Sequence, residues 1–278
     1  MDKKIRLAHL MALRGLTSRR AAEEWIREGR VQVNGELVEH PLVLVDPDED
    51  HVRVDGRVLP PTPPKVYYLL YKPKGYITGR DDPEGRKGVH ELLDGVPFRL
   101  EPVGRLDFDT EGALILTNDG DLAHALMHPS NHVPRRYLAK VYRTPDEKDI
   151  HAVETGVFLE DGRTTPGKMR VVEVSDGGNA WVEVTVTEGR NRLIRRMFAQ
   201  LGHPVSKLRR ESFATVSIRG MERGQVRELT GVELQRVQEI AQGRNPQKTG
   251  RKKKGFAIAK PKGRPQARKR KLAAKKNP

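Results

Sequence analysis

Pro60-Pro61-Thr62-Pro63-Pro64 constrains this chain more than any other segment, because four prolines in five positions let neither a helix nor a sheet ladder pass through. Each ring holds φ at about −65° and removes an N–H donor, so the run is a stiff, extended connector. The 278 residues must be organised as modules on either side of it, and they suffice for one large or two ordinary domains. The chain divides into a small module over 1–60, a linker over 61–64 that leaves the relative orientation of its neighbours mobile, a larger domain over 65–242 and a tail over 243–278.

Charge separates the tail from the rest. Fifteen of the 52 Lys and Arg residues lie from Arg244 onward, where there is no Asp or Glu. The other 37 basic residues face 37 acidic ones, so the entire formal charge of +15 sits in the tail. With Lys252-Lys253-Lys254, Arg268-Lys269-Arg270-Lys271 and few apolar residues, the tail cannot bury enough surface to offset ordering entropy and is expected to be disordered. A solubilising tail is the plain alternative; a phosphate-seeking arm is favoured, since each phosphate contact releases counterions. Deleting Arg244–Pro278 should then weaken binding of a phosphate-bearing polyanion and flatten its salt dependence in a binding titration. An unchanged slope would exclude the arm.

There is no cysteine, which removes disulfides, thiolate nucleophiles and cysteine zinc sites and fits a reducing cytoplasm. No apolar run approaches the ~18 residues of a membrane helix, and Met1-Asp2-Lys3-Lys4 leads into a short amphipathic pattern, unlike a signal peptide. A soluble, cytoplasmic protein is expected.

In the first module, Ile5, Leu7, Ala8, Leu10, Met11 and Leu13 predict a short helix ending near Gly15. Thr17 or Ser18 can cap a second helix that turns Ala22, Trp25 and Ile26 inward and stops at Gly29. Val31–Val38 alternates around Asn34-Gly35, and Val52–Leu59 around Asp55-Gly56; both dipeptides tolerate the positive φ of a tight hairpin. Beyond the prolines, strands are predicted at Val66–Tyr71, Gly112–Thr117, Tyr137–Tyr142, Arg170–Val174 and Trp181–Thr187. Helices are predicted near Asp121–Met127, Glu147–Thr155 and Arg192–Leu201. Several strands follow one another without an intervening helix, which argues for an α+β domain with a mixed, largely antiparallel sheet.

The segment that carries chemistry is Gly104-Arg105-Leu106-Asp107-Phe108-Asp109-Thr110-Glu111-Gly112, running into the apolar Ala113–Leu116. It places a carboxylate beside an arginine just before a strand, which suits a nucleophile presented to an anionic substrate. Arg105 and the Arg190–Arg196 cluster can supply countercharge. Asp109 and Glu111 could form a carboxylate pair with Asp107, but turn or strand-edge roles suit them better. His124, His128 and His132 are spaced as helical metal ligands would be, yet Pro129 breaks the shared face and no metal is expected. No glycine-rich loop leads a helix as a phosphate site would.

These residues resemble the catalytic motif of the RsuA-type pseudouridine synthases, and the resemblance covers most of residues 1–235. It includes Tyr71-Lys72-Pro73-Lys74-Gly75-Tyr76, Asp119–Ala123, His128-Pro129-Ser130, Glu188–Met197 and Leu201–Val205. It implies that Asp107 attacks a uridine in ribosomal RNA and that Arg195 ion-pairs with it. Tyr137 would stack on the uracil, as a candidate for removing its C5 proton. Ile194 would pack on the base, Arg105 would fill the gap left by the flipped nucleotide, and Arg192 would contact RNA. The first module resembles an S4 domain (αL-type), with Arg19, Arg20, Arg27 and Arg30 on one exposed face touching phosphates. The Asp82–Arg86 run and the basic tail look most like members acting on the large subunit. Ala113, Leu193 and Arg136 depart from the usual pattern without removing a chemical group the reaction needs.

Isomerisation breaks N1–C1′, turns the base and rejoins it through C5, exchanging no electrons, so no cofactor or metal is demanded. The implied partner is ribosomal RNA or a pre-ribosomal particle, for a protein taken as a monomer. Two other readings differ in product: a non-enzymatic S4-type assembly factor changes nothing, and an RNA N-glycosidase using Asp107 with a water releases uracil.

Overall fold

In a computed structural model, residues 4–79, 82–175 and 177–244 are described. The tail assigned to disorder lies outside them from residue 245 on. Helices Leu7–Leu13 and Arg19–Arg27 form as expected, and Ser18 caps the second by accepting from the Ala21 amide at 3.1 Å. Asn34 and Gly35, then Asp55 and Gly56, all take positive φ, closing the hairpins Val31–Val33/Glu36–Val38 and Val52–Val54/Arg57–Val58. The hairpins join through Val31–Val33 and Val52–Val54 into a four-stranded sheet over Leu7, Leu10, Met11, Ala22 and Ile26.

The proline segment is tied at both ends. Arg14 donates to the Pro60 carbonyl at 2.9 Å. Asn118 donates to the Pro64 carbonyl at 2.8 Å and accepts from the Val66 amide at 2.9 Å.

Among the described residues the larger domain is built on a nine-stranded sheet. Its order is Lys168–Val174, Ala180–Val186, Arg135–Val141, Val205–Phe213, Glu111–Thr117, Tyr67–Lys72 and Val226–Glu228, with Val216–Ser217 and Glu101–Pro102 added at the side. Only Val205–Phe213 against Glu111–Thr117 is parallel; every other pairing in this sheet is antiparallel. The fold class is the mixed α+β arrangement expected.

Alternation explains how the sheet is covered on both faces. Leu69, Tyr71, Ala113 and Ile115 face one way, against helices Gly120–Met127 and Gly231–Ala241. Tyr68, Leu70, Leu114 and Leu116 face the other, under Val89, Leu100 and Leu106. On the far half, Val182, Val184 and Ala139 pack with helices Glu147–Thr155 and Leu193–Gln200. Tyr137 packs against both of the latter clusters, at their junction.

The strand Val205–Phe213 and the helix Gly231–Ala241 are absent from the sequence expectation. The strand reads Val-Ser-Lys-Leu-Arg-Arg-Glu-Ser-Phe, with no apolar alternation; pairing with strands on both sides determines it. The helix has a capping box, in which the Glu233 amide donates to Thr230 while Glu233 accepts from the Thr230 amide at 2.9 Å. The hydrogen bond from Arg227 pulls the Glu233 carboxyl down to about 2. This lowered value stabilises the fold above the unfolded carboxyl pKa of about 4.3, and the contribution is lost as pH falls towards 2. Glu233→Gln should cost about 1 kcal/mol at pH 7 in urea denaturation, with the gap narrowing as pH falls below about 4.3 and closing only once it passes about 2.

Candidate active site

The loop carrying Asp107 is fixed almost entirely through its backbone. The Asp107 and Thr110 carbonyls accept from Lys72 Nζ at 3.1 and 2.9 Å, and Pro73 supplies a third carbonyl at 3.1 Å. Gly75 donates to the Phe108 carbonyl at 2.9 Å. Thr78 Oγ1 donates to the Leu106 carbonyl at 2.7 Å and accepts from its amide at 3.1 Å. The backbone of 106–110 is therefore pinned at four points while the side chains of 107–109 stay at the rim, and the Asp107 side chain is 29% exposed.

Four arginines of the Arg190–Arg196 cluster divide between two groups of carboxylates, Arg190 and Arg196 on one and Arg192 and Arg195 on the other. Arg190 closes on Glu188, Asp161 and the Gly162 and Arg163 carbonyls, and Arg196 also takes Asp161, at 2.9 Å. Arg192 stands in the left-handed region at φ 46° at the start of helix Leu193–Gln200, with Nη1 3.7 Å from Asp107 and 3.9 Å from Asp109. Holding a non-glycine residue there costs about 1–3 kcal/mol, a strain typical of functional loops. Arg195 pairs with Asp109 at 2.7 Å and donates to the Val205 carbonyl at 3.2 Å. The resemblance implied an Arg195–Asp107 pair; the structure instead puts Arg195 on Asp109 and Arg192 nearest Asp107. Helix position explains the exchange: Arg195, 13% exposed, is held down by the Val205 carbonyl, whereas Arg192 starts the helix and reaches the rim.

Beside this loop lies a cleft of about 1250 Å³, lined by Arg105, Leu106, Asp107, Tyr137, Arg192 and Ile194 among others. Five of these six, all but Leu106, are sequence-predicted site residues, and they share one space. Arg195 is adjacent, through Asp109. Tyr137, on strand Arg135–Val141, stands opposite Arg210 in register.

Three buried cations belong to the same region, and sequence reasoning assigned none of them. Lys72, Arg135 and Arg210 are all buried, and their polar partners are backbone carbonyls: Val133 and Thr187 for Arg135, and Ala113 for Arg210 at 2.7 Å. Both guanidinium groups lie over the Phe213 ring, at 5.2 and 4.9 Å. Arg210 Nη2 is buried without a partner. Burial pulls the Lys72 ammonium down to about 8, against the pull of the Asp107, Asp109 and Glu111 carboxylates. An unpaired buried cation is costly unless negative charge gathers nearby, so this floor favours an anion or a polar acceptor in the cleft. The available signal was the two-residue spacing of Arg135 and Tyr137, and of Leu208 and Arg210, which puts each pair on one sheet face.

In the first module, Arg20 and Arg27 are exposed, Arg27 being 3.5 Å from Glu23. Arg19 turns to His9, at 3.1 Å. Arg30 is committed to Asp55 at 2.6 Å and to Glu28, and stacks on Trp25. Arg19, Arg20 and Arg27 are thus exposed on one helix, whereas Arg30 is engaged within the module. His124 and His128 approach ring to ring at 5.6 Å, while His132 lies past the helix in the left-handed region. Among the described residues no helix is long and apolar enough to cross a membrane.

Comparison with known proteins agrees along the chain. A family model for RNA pseudouridylate synthase matches residues 66–200, and one for the S4 domain matches residues 5–51. The chain is 42% identical over 237 residues to ribosomal large subunit pseudouridine synthase B of Bacillus subtilis (strain 168), covering 85% of this chain and 96% of that one. It is 42% identical to an uncharacterized RNA pseudouridine synthase of Aquifex aeolicus (strain VF5), covering 83% and 92%. A crystal structure of a pseudouridylate synthase superposes with a TM-score of 0.61 at 30% identity, covering 84% of this chain and 99% of that one. A pinned acidic loop over a cationic floor, behind an S4 module, therefore belongs to a member of the RNA pseudouridine synthase family, an isomerase.

Proposed function

We propose that this chain converts a specific uridine of large-subunit ribosomal RNA to pseudouridine, with Asp107 as the nucleophile. The observation that carries the proposal is the placement of Asp107: a rim carboxylate on a rigid backbone, with Arg192 beside it and the buried Lys72 interacting with it from below. The relative named for the large ribosomal subunit supports the substrate.

In this reading the flipped uridine enters the cleft between Tyr137 and Ile194. Asp107 attacks, the N1–C1′ bond breaks, the base turns, C5 bonds to C1′, the bond to Asp107 breaks to free its carboxylate, and the C5 proton leaves as N1 gains one. Tyr137 stacks on the base and is the candidate for removing the C5 proton. Arg195 acts through Asp109, holding the loop; Arg192 steadies Asp107 and RNA phosphate. Arg105, exposed at the rim, fills the vacated stack. Arg19, Arg20, Arg27 and the S4 module add phosphate contacts that orient the RNA without reading sequence. The protein works as a cytoplasmic monomer without a cofactor, on free ribosomal RNA or an assembling particle.

The test is site-resolved pseudouridine mapping of both ribosomal RNAs, by carbodiimide labelling and primer extension, in cells with and without the gene. A signal lost on deletion, with RNA mass unchanged at that position, supports the synthase and names the nucleotide. Loss of a base indicates a glycosidase. No change at any position leaves an S4-type assembly factor.

A further inference from the structure

Phe108 immediately follows Asp107 and is 43% exposed, whereas Phe198 and Phe213 are buried. It belongs to none of the four hydrophobic clusters of the described residues, so it does not hold the fold together. Its backbone is nonetheless rigid, held by Gly75 at its own carbonyl and by Lys72 at those of Asp107 and Thr110. An apolar ring is thus kept in water at a fixed position on the rim of the cleft.

Arg86 covers one face of this ring, its Cζ 5.7 Å from the centroid. The guanidinium is itself fixed: Nε and Nη2 donate to Asp82 at 2.9 and 2.7 Å, the Arg86 amide donates to Asp82 at 2.9 Å, and Glu84 lies 3.1 Å away. Two carboxylates already neutralise Arg86, so it is poorly suited to capturing phosphate. What it contributes is a flat backing for Phe108. Phe108, Arg86 and Asp82 line the same cleft as Asp107, Arg105 and Arg192.

We infer that Phe108, backed by Arg86, is a stacking platform for the nucleobase next to the target uridine in the RNA strand. The inference rests on the synthase reading. Flipping a nucleotide out strips its neighbour of a stacking partner on one side, and an aromatic ring replaces that partner whatever the base, because every base has a π-face. Reach is right: adjacent Cα atoms lie about 3.8 Å apart, so a ring at 108 is within one nucleotide of a sugar held at 107. The cations Arg105 and Arg192 on the same rim favour a polyanion over an apolar peptide as the occupant.

The experiment uses a stem-loop RNA carrying the uridine identified by mapping, with 2-aminopurine on its 5′ side in one version and its 3′ side in another. Binding is read in the Asp107→Asn background, so that the RNA persists. Fluorescence should be quenched several-fold at one of the two positions, the quench should disappear in Phe108→Ala, and Phe108→Tyr should restore it. With Asp107 intact, Phe108→Ala should raise KM roughly tenfold to a hundredfold, with a much smaller fall in kcat. Quenching at neither position, or quenching that survives in Phe108→Ala, overturns the platform while leaving the synthase intact. If mapping finds no uridine that depends on the gene, the synthase reading falls and this one with it.

Discussion

Asp107→Asn should reduce uridine conversion by ~10⁴-fold or more while leaving RNA affinity within about threefold of the unaltered protein. The substitution keeps size and polarity and removes only the nucleophilic oxygen. Its backbone carbonyl still accepts from Lys72, so the loop keeps its anchor. Release of tritium from C5-labelled RNA reads conversion, because C5 must lose its hydrogen to bond C1′; filter binding reads affinity. Asp109→Asn provides the contrast. Asp109 is engaged by Arg195 at 2.7 Å, whereas the ion-pair partner of Asp107 among the described residues, Arg192, stands off at 3.7 Å. A carboxylate held in a close ion pair is a poor nucleophile, so Asp109→Asn should cost less, through loosening of the loop. Turnover within tenfold of normal in Asp107→Asn would remove that residue from the role. A larger loss in Asp109→Asn would move the role to Asp109.

Gly112→Ala should be the most damaging small substitution in the domain. A Cβ there would lie 2.2 Å from the Arg210 carbonyl oxygen and 2.5 Å from its amide nitrogen, both backbone atoms that cannot turn aside. The residue also sits at φ 127°, which side chains rarely adopt. The clash falls where strands Glu111–Thr117 and Val205–Phe213 pair in parallel, Arg210 opposite Gly112. Separating these strands would disturb the Asp107 loop and the buried Arg210 together. We expect a loss of roughly 4 kcal/mol or more in chemical denaturation, and a Tm lower by at least about 8 °C. Gly104→Ala is the control: its φ is 77° but a Cβ there meets open space, so strain alone should cost about 1–2 kcal/mol. Equal effects at the two positions would mean that backbone strain, not the close crossing, decides the cost.

Much of the fold could be read locally. Asn34-Gly35 and Asp55-Gly56 specify their hairpins because tight turns need positive φ, whatever lies around them. Val182, Val184 and Val186 alternate because one sheet face is buried. Pro129 ends helix Gly120–Met127 by its geometry alone. Val205–Phe213 was illegible for the opposite reason: its charged residues are acceptable in a strand only because neighbours on both sides supply the ladder.

The candidate site divides along the same line. Which residues meet in the cleft was readable from contiguous motifs around Asp107 and Arg192, together with Tyr137. How they pair was not. Arg195 lies on Asp109 and not Asp107, and Lys72 is buried on three carbonyls although its residue type belongs at the surface. By itself the sequence determined the local elements and the acidic loop, because turns, caps and alternation act over a few residues. Tertiary structure alone decided the cationic floor and the partner of each carboxylate. Those follow from contacts between distant segments, where a shift of one helical turn or one strand register exchanges one ion pair for another.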